Sequence, residues 1–341
     1  MWRNKNVSIR KTAGLLALAL TFVFSAVLAG PIVNAQNAGQ QGGGSGLQVS
    51  PTRTDLSGQP GEKKTVTITL KNITQTELTA QAVLNDFKSD NSSGTPQIIV
   101  DNNQRTPYTL EKMIKNLKDV DLKAGETKEI KLDLEVPGNA VPGAYFGAVR
   151  FAALPKGVTP TEQQRQVALT ASVAHLIFLE VPGDVNEQLL IESLKAQAGG
   201  RSGSFFFKKP DQVAAQVKNN GNGFSRPFGQ VTVNGPFGKE VHKYEVNDTD
   251  PRGIVLPQSS RAFTDQLKGV SLPGKYKLTA SIAYGNGGEV VTYKSSFIYL
   301  PLWAIIAFFA VLLLIAGGAY TVYRKRFAKG AKGERKLRRK R

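Results

Sequence analysis

The chain of 341 residues has no cysteine. It therefore has no disulfide to hold an exported fold together, and thiolate metal sites and cysteine nucleophiles are excluded. Histidine is nearly absent too, with only His175 and His242. That leaves little material for imidazole metal sites or for serine–histidine catalysis, and no serine has an evident base beside it. His175 lies among aliphatic residues and is expected to be a core side chain bonded to backbone. His242 lies in a polar strand, Lys239 to Glu245, and is expected to be solvated.

Acids are also in short supply, with 26 Asp and Glu against 44 Lys and Arg for a net charge of +18. The excess sits at the ends. Arg3, Lys5, Arg10 and Lys11 open the chain, and residues 324–341 carry eleven Lys or Arg against Glu334 alone. The middle is close to neutral, so it offers no basic face for nucleic acid, and no nucleic-acid partner is expected.

These ends read as topology. Basic residues, an apolar run from Ala13 to Leu28, Gly30-Pro31 and the small residues Val33 and Ala35 form a signal peptide over 1–35, expected to be cut after Ala35. An uncleaved signal anchor is the alternative, and both readings export the middle. A transmembrane helix is expected over 300–323. Its stretch Leu302 to Val322 has no charged residue and, at about 1.5 Å per residue, is long enough for the hydrocarbon core. Trp303, Tyr320 and Tyr323 stand at interfacial positions. The basic tail 324–341 then stays in the cytoplasm by the positive-inside rule. The expected location is a cell membrane, single-pass, with an extracellular ectodomain. Before the span, Leu300-Pro301-Leu302 is followed by Trp303-Ala304, so the Thr-Gly pair of a wall-sorting LPxTG signal is missing.

Between the ends, residues 36–46 are rich in Gly and Gln and read as a flexible linker. From Leu47 onward short alternating runs predict strands: Thr65 to Leu70, Ile130 to Val136, Tyr145 to Phe151 and Val167 to Val181. A second set follows at Gln212 to Lys218, Gly229 to Val233, Lys239 to Glu245, Arg261 to Leu267, Tyr276 to Tyr284 and Val290 to Tyr299. One short helix is expected over Pro107 to Leu117, with Thr106 as its cap.

The two sets echo each other. Lys71-Asn72 ends a strand in the first as Lys218-Asn219 does in the second, and Pro142-Gly143-Ala144-Tyr145 matches Pro273-Gly274-Lys275-Tyr276. Tyr145 and Tyr276 are read as tyrosine corners of β-sandwiches, whose hydroxyls bond upstream backbone. The fold class is therefore all-β: two tandem immunoglobulin-like β-sandwiches over 47–183 and 184–299, plus one C-terminal transmembrane helix.

Two groups, Asp90-Asn91-Ser92-Ser93-Gly94 and Asn247-Asp248-Thr249-Asp250, hold many oxygens but lack calcium-loop spacing, and are read first as turns. Phe205-Phe206-Phe207 is either an exposed contact patch or a strand packed on both faces where the domains meet.

The runs LQVSPTRTDLSGQPGEKKTVTITLKNITQTELTA and LKAGETKEIKLDLEVPGNAVPGAYFGAVRF resemble the first domain of the WxL-interacting proteins of Gram-positive surfaces. VAAQVKNNGNGF, LPQSSRAF and LPGKYKLTASIAYGNGGEVVTYKSSF look like their second domain. The segment Asn85 to Asn103 departs from that family's loop. The resemblance implies a first domain that binds peptidoglycan and a second that contacts host or partner proteins, among them WxL-type surface proteins. The expectation is thus a membrane-anchored, non-enzymatic cell-surface binding protein without a cofactor, and the resemblance implies that the membrane is the bacterial cell membrane. The alternative is a structural or chaperone-like envelope scaffold subunit. No motif assigns catalytic, metal or ligand-binding residues.

Overall fold

A computed structural model describes residues 46–101, 104–157, 172–285 and 288–338. The expected signal peptide and all of the linker but Gly46 lie outside them, as does the start of the strand expected from Val167. Alternation in sequence becomes alternation in burial. In Lys63–Asn72, Val66, Ile68 and Leu70 point inward while Thr65 and Thr67 face water. In Gly274–Tyr284 the inward set is Tyr276, Leu278, Ala280, Ile282 and Tyr284.

The first set of strands makes two facing sheets. One has four strands in the order Leu47–Ser50, Lys63–Asn72, Thr127–Glu135 and Ile114–Lys115; the other has five, Arg53–Ser57, Val173–Val181, Gly143–Pro155, Leu78–Asn85 and Val120–Leu122. The second set repeats the plan. Its four-stranded sheet runs Arg201–Gly203, Leu189–Ala198, Gln212–Asn219 and Ser259–Gln266, and its five-stranded sheet runs Phe205–Phe206, Glu289–Tyr299, Gly274–Tyr284, Phe228–Asn234 and Glu240–Val246. In both sandwiches a short early segment crosses to the second sheet and pairs in parallel with the last strand, Arg53 opposite Leu176 and Phe205 opposite Ile298. The fold is two immunoglobulin-like β-sandwiches in tandem, followed by a helix from Leu302 to Arg338. Within it Leu302–Arg324 is long and apolar enough to cross a membrane.

The repeated sequence signals have the same structural meaning in both halves. The Tyr145 hydroxyl donates to the Val141 carbonyl at 3.0 Å and the Tyr276 hydroxyl to that of Leu272 at 2.7 Å, so both are tyrosine corners. Gly143 and Gly274, two residues before them, share φ 144°.

One expectation is corrected and two strands are added. Residues 107–117 are not a helix. Asp86 instead takes the Thr106 N–H and hydroxyl and the Thr109 hydroxyl. One turn closes with Met113 and Ile114 donating to Leu110, after which the Met113 carbonyl accepts from Glu135 N–H and Ile114–Lys115 joins the sheet. Burial of Leu110, Met113 and Ile114 outweighs the Thr-Pro start signal. Leu78–Asn85 and Leu189–Ala198 are strands that the pattern did not mark, because Ala, Gln and Ser blur their alternation.

Each sandwich has its own apolar core, and a third apolar cluster joins them. Phe87, Phe146 and Phe178 of the first sandwich pack on Phe224, Ile254 and Leu256 of the second, with Phe178 and Phe224 rings 5.6 Å apart. Polar bonds frame the cluster. Ala144 N–H donates to Asn222 O at 2.9 Å, and Ala262 N–H, on the edge strand Ser259–Gln266, donates to Ser92 O at 2.6 Å. The segment after Asn85 is thus a clamp on the second sandwich: Asn91 also accepts from Ser260 N–H and from Gln216 Nε2.

Candidate functional site

The clamp and the aromatic cluster leave a cleft of about 310 Å³ between the sandwiches. Its apolar floor is Phe87, Phe178, Ile254 and Leu256, and one guanidinium from each sandwich, Arg53 and Arg261, borders it. Ser93 and Thr95 supply hydroxyls from the clamp.

Local sequence explains each placement. Arg53 starts the segment that crosses to the second sheet, and its guanidinium lies 4.5 Å from the centre of the Phe178 ring. Asp55 holds it by Nε and Nη2, both at 2.7 Å. Arg261 lies on the edge strand under the clamp. Its Nη1 donates to Ile254 O at 3.0 Å, while its Nε is buried without a hydrogen-bond partner among the described residues. Burial lowers the affinity of Arg261 for its proton, and the Arg53 charge adds to this, partly offset by Asp90.

The clamp owes its shape to Asp90. Its carboxylate accepts the N–H groups of Ser92, Ser93 and Gly94 and both serine hydroxyls. The Ser93 hydroxyl, followed by the Ser92 N–H, holds that carboxyl well below the ordinary range. These bonds make the 90–94 group a turn. Asn247 likewise serves a turn, at φ 60°, bonding Pro227 O, Gly253 O and Gly253 N–H. Among the described residues no group of three or more His, Cys, Asp and Glu is placed to hold a metal.

The remaining sequence candidates separate. His175 is buried, with Nδ1 2.7 Å from Pro51 O. Because a carbonyl only accepts, the proton is on Nδ1. His242 is not solvated, which corrects the expectation: its Nε2 meets Asp265 Oδ2 at 2.8 Å on the neighbouring sheet, a pairing hidden by its polar sequence surroundings. The nearby Tyr244 hydroxyl donates to Phe263 O, and burial, with Asp265, raises its pKa. Phe206 is buried on Phe297, whereas Phe205 and Phe207 are exposed. The triplet is not between the two sandwiches, since it pairs with Ile298 and Tyr299 just before the helix.

The arrangement joins two cations, an apolar floor and hydroxyls. It can receive a carboxylate-bearing ligand with an apolar face. Neither Arg53 nor Arg261 stands out in sequence, because some two hundred positions separate them and each lies in an ordinary alternating run.

No curated protein sequence matches the chain. Solved structures similar in fold include the CFA/I chaperone-tip adhesin complex, at 12% identity and TM-score 0.36 over 75% of this chain and 99% of that one. The Pseudomonas aeruginosa CupB2 chaperone follows at 12% and 0.31 over 72% and 98%, and the E. coli chaperone DraB at 14% and 0.30 over 74% and 96%. Residues 51–153 match the family model described as WxL Interacting Protein, peptidoglycan binding domain. Arg53, Phe87 and the clamp all fall within that match, and the likeness to the WxL-interacting proteins is shown over these residues of the first sandwich.

Proposed function

We infer that the protein is a non-enzymatic, membrane-anchored surface protein that binds peptidoglycan in the cleft between its sandwiches. In this reading residues 1–35 export the chain and 36–46 are a linker. The sandwiches 47–183 and 184–299 stand outside the membrane, and the basic tail 324–341 remains in the cytoplasm. The second sandwich is then available to partner proteins, including those of WxL type. The observation that carries the reading is the match of residues 51–153 to a peptidoglycan-binding domain. The cleft adds a chemistry suited to the ligand. Peptidoglycan presents peptide carboxylates beside sugar faces, and here guanidiniums stand beside phenyl rings.

The test is sedimentation of the purified full-length protein, in detergent micelles, with insoluble peptidoglycan. The wild type should co-sediment, and R261Q and R53Q should each weaken binding about tenfold, the effect of one lost charge-assisted contact. Their unfolding midpoints guard against misfolding. Wild-type retention no greater than on cellulose would overturn peptidoglycan binding, and full binding by both variants would overturn the cleft as its site.

A further inference from the structure

The last strand ends at Tyr299 and the apolar helix begins at Leu302, so only Leu300 and Pro301 lie between the second sandwich and the span. Leu300 is itself tied back, donating its N–H to Phe206 O at 2.8 Å. There is no room for a stalk. Whichever face of the sandwich lies at this end must meet the surface the helix enters.

That end has a composition unlike the rest. Phe205 (47% exposed) and Phe207 (52%) are held there because Phe206 pairs with Tyr299. Gly274 pairs with Tyr299 from the other side, which brings Leu272 (49% exposed) to the same rim. The turn after Phe228–Asn234 abuts Gly274 through Pro236 and carries Phe237, at 87% the most exposed large apolar residue of the described chain. Among the described residues outside the helix, three of the four exposed phenylalanines therefore surround the chain's entry into the span, a clustering that packing within the sandwich does not explain. Exposed Lys208 and Lys209 follow Phe207, Lys239 follows Phe237, and Lys275 pairs with Ile298.

We propose that this end of the second sandwich is a membrane-docking surface: Phe205, Phe207 and Phe237 insert at the headgroup–acyl boundary of the outer leaflet, and the flanking lysines meet lipid phosphates. The occupant is lipid, because continuity with the span leaves that end facing the bilayer. Apolar tips ringed by lysine suit its boundary, the stems lying along the apolar layer and the ammonium groups among the headgroups. The ectodomain is then fixed at three points around the helix and stands at a set angle to the membrane. Docking rests on the helix being a span and is independent of what the cleft binds.

The absence of cysteine makes a clean test available, since any introduced thiol is the only one. Full-length F205C, F207C and F237C, each carrying a nitroxide, are reconstituted in phosphatidylglycerol–phosphatidylcholine nanodiscs and compared for collision with oxygen and with a water-soluble nickel chelate. V290C labels an exposed site at the opposite end of the same strand as Ile298, and L312C labels the middle of the helix. Oxygen should be favoured severalfold over the chelate at 205, 207 and 237, as at 312, and the preference should reverse at 290. A label at 237 as open to the chelate as that at 290, with 312 in lipid, overturns docking while sparing the span. Water at 312 overturns both. Peptidoglycan sedimentation of the same variants reports the cleft separately.

Discussion

Asn72 and Asn219 make the same turn in the two sandwiches. Each is buried at the end of a strand, each accepts through Oδ1 from the N–H two residues on, and each donates through Nδ2 to the carbonyl four residues on. Each also reaches across the domain, Asn72 to Lys123 O at 2.9 Å and Asn219 to Val255 O at 3.0 Å. Replacement by alanine strands several buried groups at once. We expect N72A and N219A each to lower stability by about 1–3 kcal/mol, read from the urea midpoint of the purified protein. Equal effects would support the two turns as one repeated device, and a neutral N219A would refute it.

These asparagines were visible in sequence because a repeated Lys-Asn pair marked them, and so were the tyrosine corners through their Pro-Gly prefix. Local chemistry at fixed spacing leaves such traces. The joint between the sandwiches left none. Phe178 and Leu176 fall on the face opposite Ile177 and Leu179, where a single sandwich would place polar residues, and only the partner sandwich explains their burial or half-burial. The supposed helix at 107–117 failed for a related reason. Asp86, distant in sequence, claims the hydroxyls and N–H that a helix start would have used.

The two tyrosine corners should differ in energetic weight. Tyr276 is fully buried and stacks on Phe297 with centroids 5.0 Å apart, whereas Tyr145 is partly open to water. Removing a hydroxyl whose acceptor is then unsatisfied costs more where water cannot replace it. Y276F should cost about 1 kcal/mol, and Y145F less than half of that, by thermal unfolding. Equal losses would contradict the burial argument.

Gly94 should prove a cleft residue through its neighbour. It has φ +79° and lies against Arg261, where an added Cβ would stand 2.6 Å from Cδ. G94A must therefore strain the turn or move Arg261. The expected cost is about 1 kcal/mol of stability together with weaker sedimentation on peptidoglycan. G125A, at a positive-φ glycine where an added Cβ would meet no atom of the described residues within 4 Å beyond its chain neighbours, should carry strain alone and leave binding unchanged. If both variants bind as wild type does, the position of Arg261 is unimportant to the ligand.

His175 should make the protein acid-sensitive. Burial lowers its pKa in the fold, opposed by the bond to Pro51, and its Nε2 has no acceptor among the described residues, so a second proton would bury an unpaired N–H. In the unfolded chain the imidazole titrates near about 6.5. The unfolded state then binds more protons in the interval below that value, and stability must rise with pH across it. Above pH about 6.5 both states are neutral at this group and the full stability is present; it is lost as pH falls toward the depressed folded value. H175F keeps an aromatic ring but leaves the Pro51 carbonyl unpaired, so it should be less stable than wild type by about 1–3 kcal/mol at pH 8. Because phenylalanine does not titrate, that gap should narrow as pH is lowered to about 5. Urea midpoints of both proteins across this range, with His242 common to each, isolate the effect, and a gap that stays constant would show that His175 takes up its proton without penalty.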